Sequence, residues 1–360
     1  MAGSDGAPIV SVVVPTYRRP EMLERAVVSV LGQDFRDIEV IICDDEDPPG
    51  EGRLVAERLA ARDSRVRVVA NEGVRGQAGN LNFAMSRARG AWIKPVFDDD
   101  ALEPSCLGRM LAAAVMGRGS VSVVRCLAKR FEDGRLVRTE RRGRRAVVEQ
   151  LSAGDAVLAM YLQDVDVGIP TQLLVSRHAL EAGAVMATDG RFVSGVDSAW
   201  TLSLLEHGLL VLLNEPLVHQ HQGGHATVTS GMSDDALDAE FALLRELQHE
   251  RLIGLTGVPS VSTAQAMLRG IRALERMRRG RLRSAVSLAT DVRSVRAWGL
   301  AVRWAMRRAM PGWFEIVKRT RLSTDSRAYG TQRDPGVRIR AQRPGAHDGV
   351  SDAGDRRAVG

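Results

Sequence analysis

Cysteine is scarce in this sequence, whose 360 residues contain only Cys43, Cys106 and Cys126. Their spacing fits neither a disulfide framework nor a metal-binding motif. The small disulfide-stapled secreted class is therefore excluded, and the cysteine usage suits a reducing cytosol.

Long apolar runs are also missing. No stretch of roughly 18 uncharged apolar residues occurs, so we predict no membrane-spanning helix. The opening MAGSDGAPIVSVVVPTYRRP lacks the basic and apolar regions of a secretory signal peptide. We therefore expect a cytoplasmic protein.

Lysine and the aromatic residues are rare as well. The chain has three lysines, Lys94, Lys129 and Lys318, and aromatics make up 4% of it. Arginine thus carries nearly all of the positive charge, a usage typical of GC-rich coding sequences. The charge is concentrated, because fifteen basic residues stand against three acids between Arg269 and Arg321, while the whole chain carries +6. This basic segment is more informative than the overall charge.

The first hundred residues alternate apolar runs typical of buried strands with segments of helical periodicity. Strands are predicted at PIVSVVVPTY, DIEVIICD, RVRVVAN and AWIKPVF, with helices between them. This β-α-β-α-β-α-β order predicts right-handed crossovers and an α/β, Rossmann-like fold with a mostly parallel sheet flanked by helices.

Polar residues follow these predicted strands. The loops begin at Thr16, Asp44, Asn71 and Asp98, and ligands bind beyond the carboxyl ends of strands in sheets of this kind. The last loop opens with three consecutive aspartates, Asp98–Asp100, which we call the aspartate triplet. Either water compensates this charge in a solvated turn, or a bound cation does in a metal site.

Three segments resemble family 2 glycosyltransferases with the GT-A fold. VSVVVPTYRRPEMLERAVVSVLGQDFRDIEVIICDDE resembles the opening of the family, and NEGVRGQAGNLNFAMSRARGAWIKPVFDDDALEP resembles the approach to its DXD motif. GIPTQLLVSRHALEAGAVMATDGRFVSGVDSAW resembles the acceptor-side strand and the helix with the catalytic base. The resemblance covers roughly residues 8–225. It implies an inverting transfer from a nucleotide-diphosphate sugar to a hydroxyl of a saccharide, lipid-linked or small-molecule acceptor, as in polysaccharide biosynthesis.

The resemblance implies donor-binding roles for Thr16, Asp44, Asp45, Asn80 and Asp98. Thr16 would line the nucleotide pocket, and Asp45 with Asp44 would hydrogen-bond the base. An acidic turn is the alternative for this pair. Asn80 matches the second residue of an Arg-Asn pair in the family, although Gly79 stands where the arginine is common.

A divalent metal, Mn²⁺ or Mg²⁺, is the cofactor that the resemblance implies. Asp99 would bind it and Asp100 would hold a metal-bound water. In HQHQGGHATVTSG, His221 and His225 would contact the metal or the diphosphate. An independent zinc site is an alternative, because His219 and His221 lie on one face of a predicted strand.

Asp197 in SGVDSAW is the expected catalytic base, which takes the proton from the acceptor hydroxyl. Val196 replaces the glutamate that usually precedes it in the family. The alternative for Asp197 is an acid that stabilises a helix N-terminus by about 0.3–1 kcal/mol. Trp200, one turn further on, would stack on an acceptor sugar or pack in the core.

The domain prediction has three parts. Residues 1–231 form the GT-A domain, with a nucleotide-binding half at about 8–110 and an acceptor half at 111–231. Residues 232–322 form a basic helical region. Residues 323–360 are rich in Gly, Arg and Asp and are predicted to be a disordered tail.

The basic helical region interleaves aromatics with cations, as in RAWGLAVRWAMRRAMPGWFEIVKRTRL. Such helices bind anionic membrane surfaces, so residues 269–321 predict peripheral association with the inner face of a membrane. Packing of this amphipathic segment on the catalytic domain is the alternative. No nucleic-acid partner is predicted, because no recognised motif accompanies the charge.

Two other functions remain open. A sugar-nucleotide nucleotidyltransferase would need a glycine-rich phosphate loop after the first strand, and PTYRRP has no glycine. A non-catalytic GT-A relative that acts as a binding or adaptor protein is compatible with Val196.

Overall fold

The computed structural model describes residues 6–140, 148–222, 231–278, 280–290, 292–309, 317 and 319–323. Its strands are β1 (Val10–Thr16), β2 (Ile38–Asp44), β3 (Val66–Ala70), β4 (Trp92–Pro95), β5 (Asp100–Leu102), β6 (Val121–Glu132), β7 (Arg135–Thr139), β8 (Val148–Leu151), β9 (Leu173–Ser176), β10 (Leu209–Gln222) and β11 (Thr320–Ser323).

The helices alternate with these strands and then follow one another at the C-terminal end. They are α1 (Pro20–Leu31), α2 (Glu51–Arg62), α3 (Gln77–Ser86), α4 (Cys106–Met116), α5 (Ala153–Tyr161), α6 (Arg177–Glu181), α7 (Val196–Leu205), α8 (Asp234–Glu250), α9 (Val261–Arg278), α10 (Leu282–Thr290) and α11 (Val295–Ala309). A short 3-10 turn, Pro170–Gln172, precedes β9.

All the strands belong to one sheet, with the order β11-β8-β10-β6-β9-β4-β1-β2-β3 and with β5 and β7 paired to β10 and β6. Strands β3, β2, β1 and β4 are parallel neighbours, as the alternating pattern predicts. Strand β9 is antiparallel to both β4 and β6, whereas β6 and β10 run parallel. The predicted α/β sheet flanked by helices is confirmed, and each of its antiparallel pairs includes at least one strand between residues 111 and 231.

Two apolar clusters cover the two faces of the sheet. Val12 and Val14 of β1 face the cluster that contains α1, α2 and α4, while Val13 faces the cluster that contains α3, α5 and α7. Alternate residues of a strand point to opposite faces, and burying each such side chain stabilises the fold by roughly 1.5–3 kcal/mol. The unbroken apolar run of β1 follows from this double burial.

The register of the strands brings the predicted loops together. Thr16 pairs with Asp44 at the ends of β1 and β2, and the N–H of Asn71 bonds the carbonyl of Asp44 at 2.9 Å. Strand β5 pairs with β10 so that Asp100 lies opposite Gln220. The end of the acceptor half therefore lies beside the aspartate triplet.

The C-terminal helices share the core of the α/β domain. Buried residues of α8, α9 and α11, among them Met267 and Ala301, belong to the same cluster as α5 and α7. Trp304 of α11 donates its indole N–H to the carbonyl of Gln163 at 3.1 Å. Strand β11 then joins β8 at the sheet edge. The apolar core thus continues across residue 231, which the sequence pattern marks as a domain boundary.

Within the described part of the chain, no helix combines the length and the apolarity needed to cross a bilayer. Ser323, the first residue of the predicted tail, ends β11. The rest of that tail, residues 324–360, lies outside the described residues.

Candidate active site

A cavity of about 1140 Å³ opens at the carboxyl ends of β1, β2 and β4. Eight of the predicted site residues line it, namely Thr16, Asp45, Asn80, Asp98, Asp99, Asp100, Asp197 and His221. Asp44 and Trp200 do not line it, and His225 lies outside the described residues. The structure therefore brings the aspartate triplet and the expected base to one cavity.

Asp98 is held against the end of β1. It is 5% exposed, and its Oδ2 accepts hydrogen bonds from Thr16 Oγ1 at 2.8 Å and from the Tyr17 N–H at 3.4 Å. Burial raises the pKa of the Asp98 carboxyl, and the contacts with Thr16 and Arg19 oppose that rise. Because β1 and β4 are parallel neighbours, the pairing of Thr16 with Asp98 follows from the sheet.

Asp100 is the deepest carboxylate of the triplet and is 3% exposed. Burial, reinforced by the charge of Asp99, raises the pKa of Asp100 to about 8, against a hydrogen bond from the Thr171 side chain. Its Oδ2 is buried without a hydrogen-bond partner in the described part of the protein. Burying a carboxylate oxygen without a partner costs free energy of folding unless a cation or a hydrogen-bond donor approaches it.

Asp99 is half-buried and lies between two arginines. Its Oδ2 is 3.1 Å from Arg19 Nη1, and its carbonyl accepts a hydrogen bond from Arg25 Nη2 at 3.2 Å. The same Arg19 nitrogen lies 3.2 Å from Asp98 Oδ1. A guanidinium therefore compensates part of the charge of the triplet.

Asp45 faces the cavity at the end of β2 with both carboxylate oxygens bonded. Oδ1 accepts from Asn71 Nδ2 at 2.7 Å, and Oδ2 accepts from the Gly76 N–H at 2.8 Å. Arg75 donates to the Asp45 carbonyl at 2.6 Å. These bonds fix the loop that leads into α3.

Asp44, the last residue of β2, does not line the cavity. It is 2% exposed, and burial raises its pKa. Its Oδ1 accepts the Glu46 N–H at 3.1 Å. The contact of Asp44 with the donor base stays a prediction.

Asn80 joins α3 to the ends of two strands. Its Nδ2 donates to the Cys43 carbonyl at 3.1 Å and to the Thr16 carbonyl at 3.4 Å. Gly79 beside it has no room for a side chain, because a Cβ there would lie 2.1 Å from the Val74 carbonyl oxygen. The missing arginine of the family pattern is thus explained by the close approach of this loop to α3.

Asp197 lies in the first turn of α7 and lines the cavity. The residue is half-buried, and its Oδ1 is buried without a hydrogen-bond partner in the described regions. Burial raises the pKa of Asp197 to about 7. A carboxyl poised near neutral pH suits a general base.

Glu240 of α8 holds the loop in front of Asp197. Its Oε1 accepts the Val193 N–H at 2.7 Å, and its Oε2 accepts the N–H groups of Ser194 at 2.8 Å and Gly195 at 3.0 Å. Sequence reasoning missed this residue, because no local pattern links α8 to a loop some 45 positions earlier.

His221 of β10 touches the triplet from the acceptor side. It hydrogen-bonds the backbone of Asp99, and burial, with the nearby charge of Arg25, lowers its pKa. Its ring stacks on Phe131 with centroids 5.2 Å apart. His219 packs on the same Phe131 ring, with centroids 5.1 Å apart, and its Nε2 contacts Glu103.

The prediction that Trp200 stacks on an acceptor sugar is corrected by its burial. The ring is 1% exposed, and its indole N–H donates to the Ala184 carbonyl at 2.8 Å. Trp200 belongs to the core cluster, so the packing alternative holds.

Four arginines that the sequence did not single out also line the cavity, namely Arg19, Arg25, Arg75 and Arg130. Nε of Arg130, near the end of β6, is buried without a hydrogen-bond partner within the described ranges. Arg19, Arg25 and Arg75 lie just after a predicted strand or within the next helix, whereas Arg130 lies within β6, so the four share no signal in the sequence. Together they make the cavity suitable for an anionic ligand.

No group of three or more His, Cys, Asp or Glu side chains within the described ranges is arranged to hold a metal by itself. Mg²⁺ commonly uses one or two carboxylates and completes its shell with water and substrate phosphates. The half-buried carboxylate of Asp99 and the unpartnered oxygen of Asp100 fit that requirement.

Comparison with known proteins finds a family that part of the chain resembles. Residues 11–183, just under half of the 360-residue chain, match the family described as Glycosyl transferase family 2. The matched segment contains the aspartate triplet and ends before Asp197.

Curated relatives match about a third of the chain. It is 33% identical over 115 residues to the GalNAc(5)-diNAcBac-PP-undecaprenol beta-1,3-glucosyltransferase of Campylobacter jejuni, covering 32% of this chain and 37% of that protein. It is 34% identical over 119 residues to the succinoglycan biosynthesis protein ExoO of Rhizobium meliloti, covering 33% of each. The chain thus spans about a third of the length of these relatives.

A solved structure supports the GT-A fold over most of the length of the chain. S. aureus TarS 1–349 in complex with UDP-GlcNAc matches with a TM-score of 0.53 and 15% identity, covering 88% of this chain and 97% of that chain. At this identity the likeness concerns the fold alone.

Proposed function

We propose that this protein transfers a sugar from a nucleoside-diphosphate donor to a hydroxyl group of a saccharide or lipid-linked acceptor, with inversion and with Mn²⁺ or Mg²⁺. The observation that carries the proposal is the placement of the aspartate triplet and Asp197 on one cavity of about 1140 Å³. The match of residues 11–183 to the family and the names of the relatives, which include an undecaprenol-linked acceptor, support the substrate class.

The proposed donor lies along the ends of β1, β2 and β4. Asp45 and Thr16 line the nucleotide end of the cavity, and Asp98 faces the ribose or the sugar. Asp99 and Asp100 would hold the metal, which supplies Lewis-acid stabilisation of the leaving diphosphate. Arg25 and Arg75 add positive charge along the same wall.

Asp197 is the proposed base. It removes the proton of the acceptor hydroxyl as that oxygen attacks the anomeric carbon from the face opposite the leaving group. Its raised pKa, about 7, keeps a large fraction of the carboxylate available at neutral pH while making it basic enough to accept the proton. Glu240 holds the preceding loop, so it would orient this base without touching the substrate.

The basic helices provide a proposed membrane contact. Val295, Val302 and Met306 of α11 are 88%, 43% and 38% exposed, and their spacing of seven and four residues places them on one helix face. Arg303 beside them is exposed as well. An exposed apolar stripe next to cations suits an anionic lipid surface, where a lipid-linked acceptor would be found.

A panel of nucleotide sugars tests the transferase proposal. The purified protein with Mn²⁺ is expected to release UDP, GDP or TDP from one donor, slowly by hydrolysis and faster with an acceptor extract. Asp197→Asn should lose the acceptor-stimulated release. Release of pyrophosphate from a sugar phosphate and a nucleoside triphosphate would instead identify a nucleotidyltransferase. Nucleotide binding with no turnover of any donor would favour a non-catalytic relative.

A further inference from the structure

Arg19 places one guanidinium nitrogen between two carboxylates of the aspartate triplet. Its Nη1 lies 3.2 Å from Asp98 Oδ1 and 3.1 Å from Asp99 Oδ2. The Asp98 side chain is 7% exposed and that of Arg19 34%, so the contact lies at the wall of the cavity and not in bulk water. Two adjacent carboxylates repel each other, and a cation in contact with both favours their ionised forms.

The backbone around Arg19 fixes this position. Arg19 caps the N-terminal end of α1 and precedes Pro20, which restricts its backbone. Arg18 before it has a φ of 55°, a conformation that non-glycine residues seldom adopt. The ion pair between Arg18 and Glu46, at 3.0 Å, ties this turn to the loop after β2. Arg19 is therefore directed at the triplet by local structure.

One of these two carboxylates, that of Asp99, is also a proposed ligand of the metal. Mg²⁺ binds carboxylate oxygens at roughly 2.0–2.1 Å, so a metal held by Asp99 would exclude the guanidinium nitrogen that lies 3.1 Å from Asp99 Oδ2. We propose that Arg19 competes with the metal. Its guanidinium compensates the negative charge of the triplet before the metal binds, and it moves to the donor diphosphate afterwards. This inference rests on the proposed function.

The other cations of the cavity explain why the diphosphate is the next partner. Arg25 donates to the Asp99 carbonyl, and Arg75 donates to the Asp45 carbonyl and pairs with Asp47. Neither contacts the Asp99 carboxylate that would hold the metal, so both would keep their partners. Arg19 alone of these three would lose a carboxylate partner, and phosphate oxygens are the anions that a guanidinium binds best.

The inference makes two opposite predictions for Arg19→Ala. Without nucleotide, removal of the competitor should tighten Mn²⁺ binding about 3- to 10-fold, the range expected for a partly exposed ion pair. With saturating Mn²⁺, removal of a phosphate contact should weaken binding of the nucleoside diphosphate about tenfold. Mn²⁺ binding is followed by the electron paramagnetic resonance signal of the free ion. Nucleotide binding is followed by calorimetry with whichever of UDP, GDP and TDP the wild type binds.

Two further variants make the comparison specific. Arg62→Ala removes the same charge from the exposed end of α2, outside the cavity, and should change Mn²⁺ affinity less than twofold. Arg19→Lys keeps the charge, so its Mn²⁺ affinity should stay near that of the wild type while nucleotide binding weakens, because an ammonium cannot bind phosphate as a fork. Thermal unfolding midpoints establish that each variant is folded.

The outcomes separate this inference from the proposed function. If the wild type binds Mn²⁺ and Arg19→Ala binds it no more tightly, the competition is refuted and the metal site stands. If Arg19→Ala gains Mn²⁺ affinity but keeps its nucleotide affinity, the transfer to the diphosphate is refuted. If neither protein binds Mn²⁺, even with nucleotide present, the metal requirement of the proposed function fails and the inference fails with it.

Discussion

The carboxylate of Glu240 accepts a hydrogen bond from the backbone N–H of Gly195 at 3.0 Å, two residues before Asp197. The same carboxylate bonds the N–H groups of Val193 and Ser194. A helix of the C-terminal region therefore fixes the entrance to α7. The position of the proposed base depends on residues beyond the segment that matches the family.

Glu240→Gln is expected to lower the transfer rate. The amide nitrogen of glutamine would face backbone N–H groups, so at least one of the three hydrogen bonds is lost, at about 1–3 kcal/mol each. We expect a roughly 10-fold or greater loss of kcat with little change in nucleotide affinity. Steady-state kinetics and calorimetry measure the two effects. Glu246→Gln on the exposed side of the same helix is the control, and an equal loss there would argue against a specific role for Glu240.

Transfer is expected to depend on the ionisation of Asp197. Burial raises its pKa to about 7, and only the ionised form can accept a proton. The fraction ionised rises from about one tenth at pH 6 to about nine tenths at pH 8, so kcat should rise roughly ninefold over this range. Asp197→Asn should abolish transfer at every pH while leaving nucleotide affinity nearly unchanged. A flat profile, or an active Asp197→Asn, would remove Asp197 from the mechanism.

Gly79→Ala is expected to destabilise the fold. Its Cβ would lie 2.1 Å from the Val74 carbonyl oxygen, a backbone atom that cannot turn aside. Overpacking of this kind costs about 1–3 kcal/mol. Chemical denaturation measures the change in unfolding free energy. Gly52→Ala in α2, whose Cβ would meet nothing within 4 Å, should instead be neutral or stabilise by up to about 1 kcal/mol.

Binding to anionic vesicles is expected to depend on the exposed face of α11. Val302→Glu combined with Met306→Glu places two negative charges on that face, so the fraction of protein that pellets with phosphatidylglycerol vesicles should fall several-fold. Removal of the whole helical region would not be informative, because its helices share the core of the α/β domain. Val28→Glu, at an exposed position of α1, is the control. Equal pelleting of the double variant and the wild type would contradict the membrane contact.

The sequence predicts the nucleotide half of the fold because its signals are local. Buried parallel strands give continuous apolar runs such as that of β1, and the rule that ligands bind at strand ends places Thr16 and the triplet together. The sequence pattern does not distinguish Asp44 from Asp45, because both lie at the end of the second strand. Only the structure shows that Asp45 lines the cavity.

The remaining parts of the site depend on contacts distant in sequence. Glu240 acts on a loop about 45 residues earlier, and Arg19 has the sequence context of an ordinary surface arginine at a helix start. Trp200 follows Asp197 by one helical turn, yet a large apolar ring gains more from the core than from an open cavity. No periodicity or motif in a single sequence reports these pairings.

The proposed transfer depends most on binding of a divalent metal together with a nucleoside diphosphate at the aspartate triplet. Calorimetric titration of UDP, GDP and TDP into the wild type, Asp99→Ala and Asp133→Asn, with and without Mn²⁺, tests it directly. Asp133 lines the same cavity outside the triplet, and asparagine tolerates its positive φ of 47°. We predict that one nucleotide binds at least tenfold more tightly with Mn²⁺ to the wild type and to Asp133→Asn, and that Asp99→Ala loses this enhancement while staying folded. Nucleotide binding that is equally tight with and without the metal, or an unchanged enhancement in Asp99→Ala, would contradict the account.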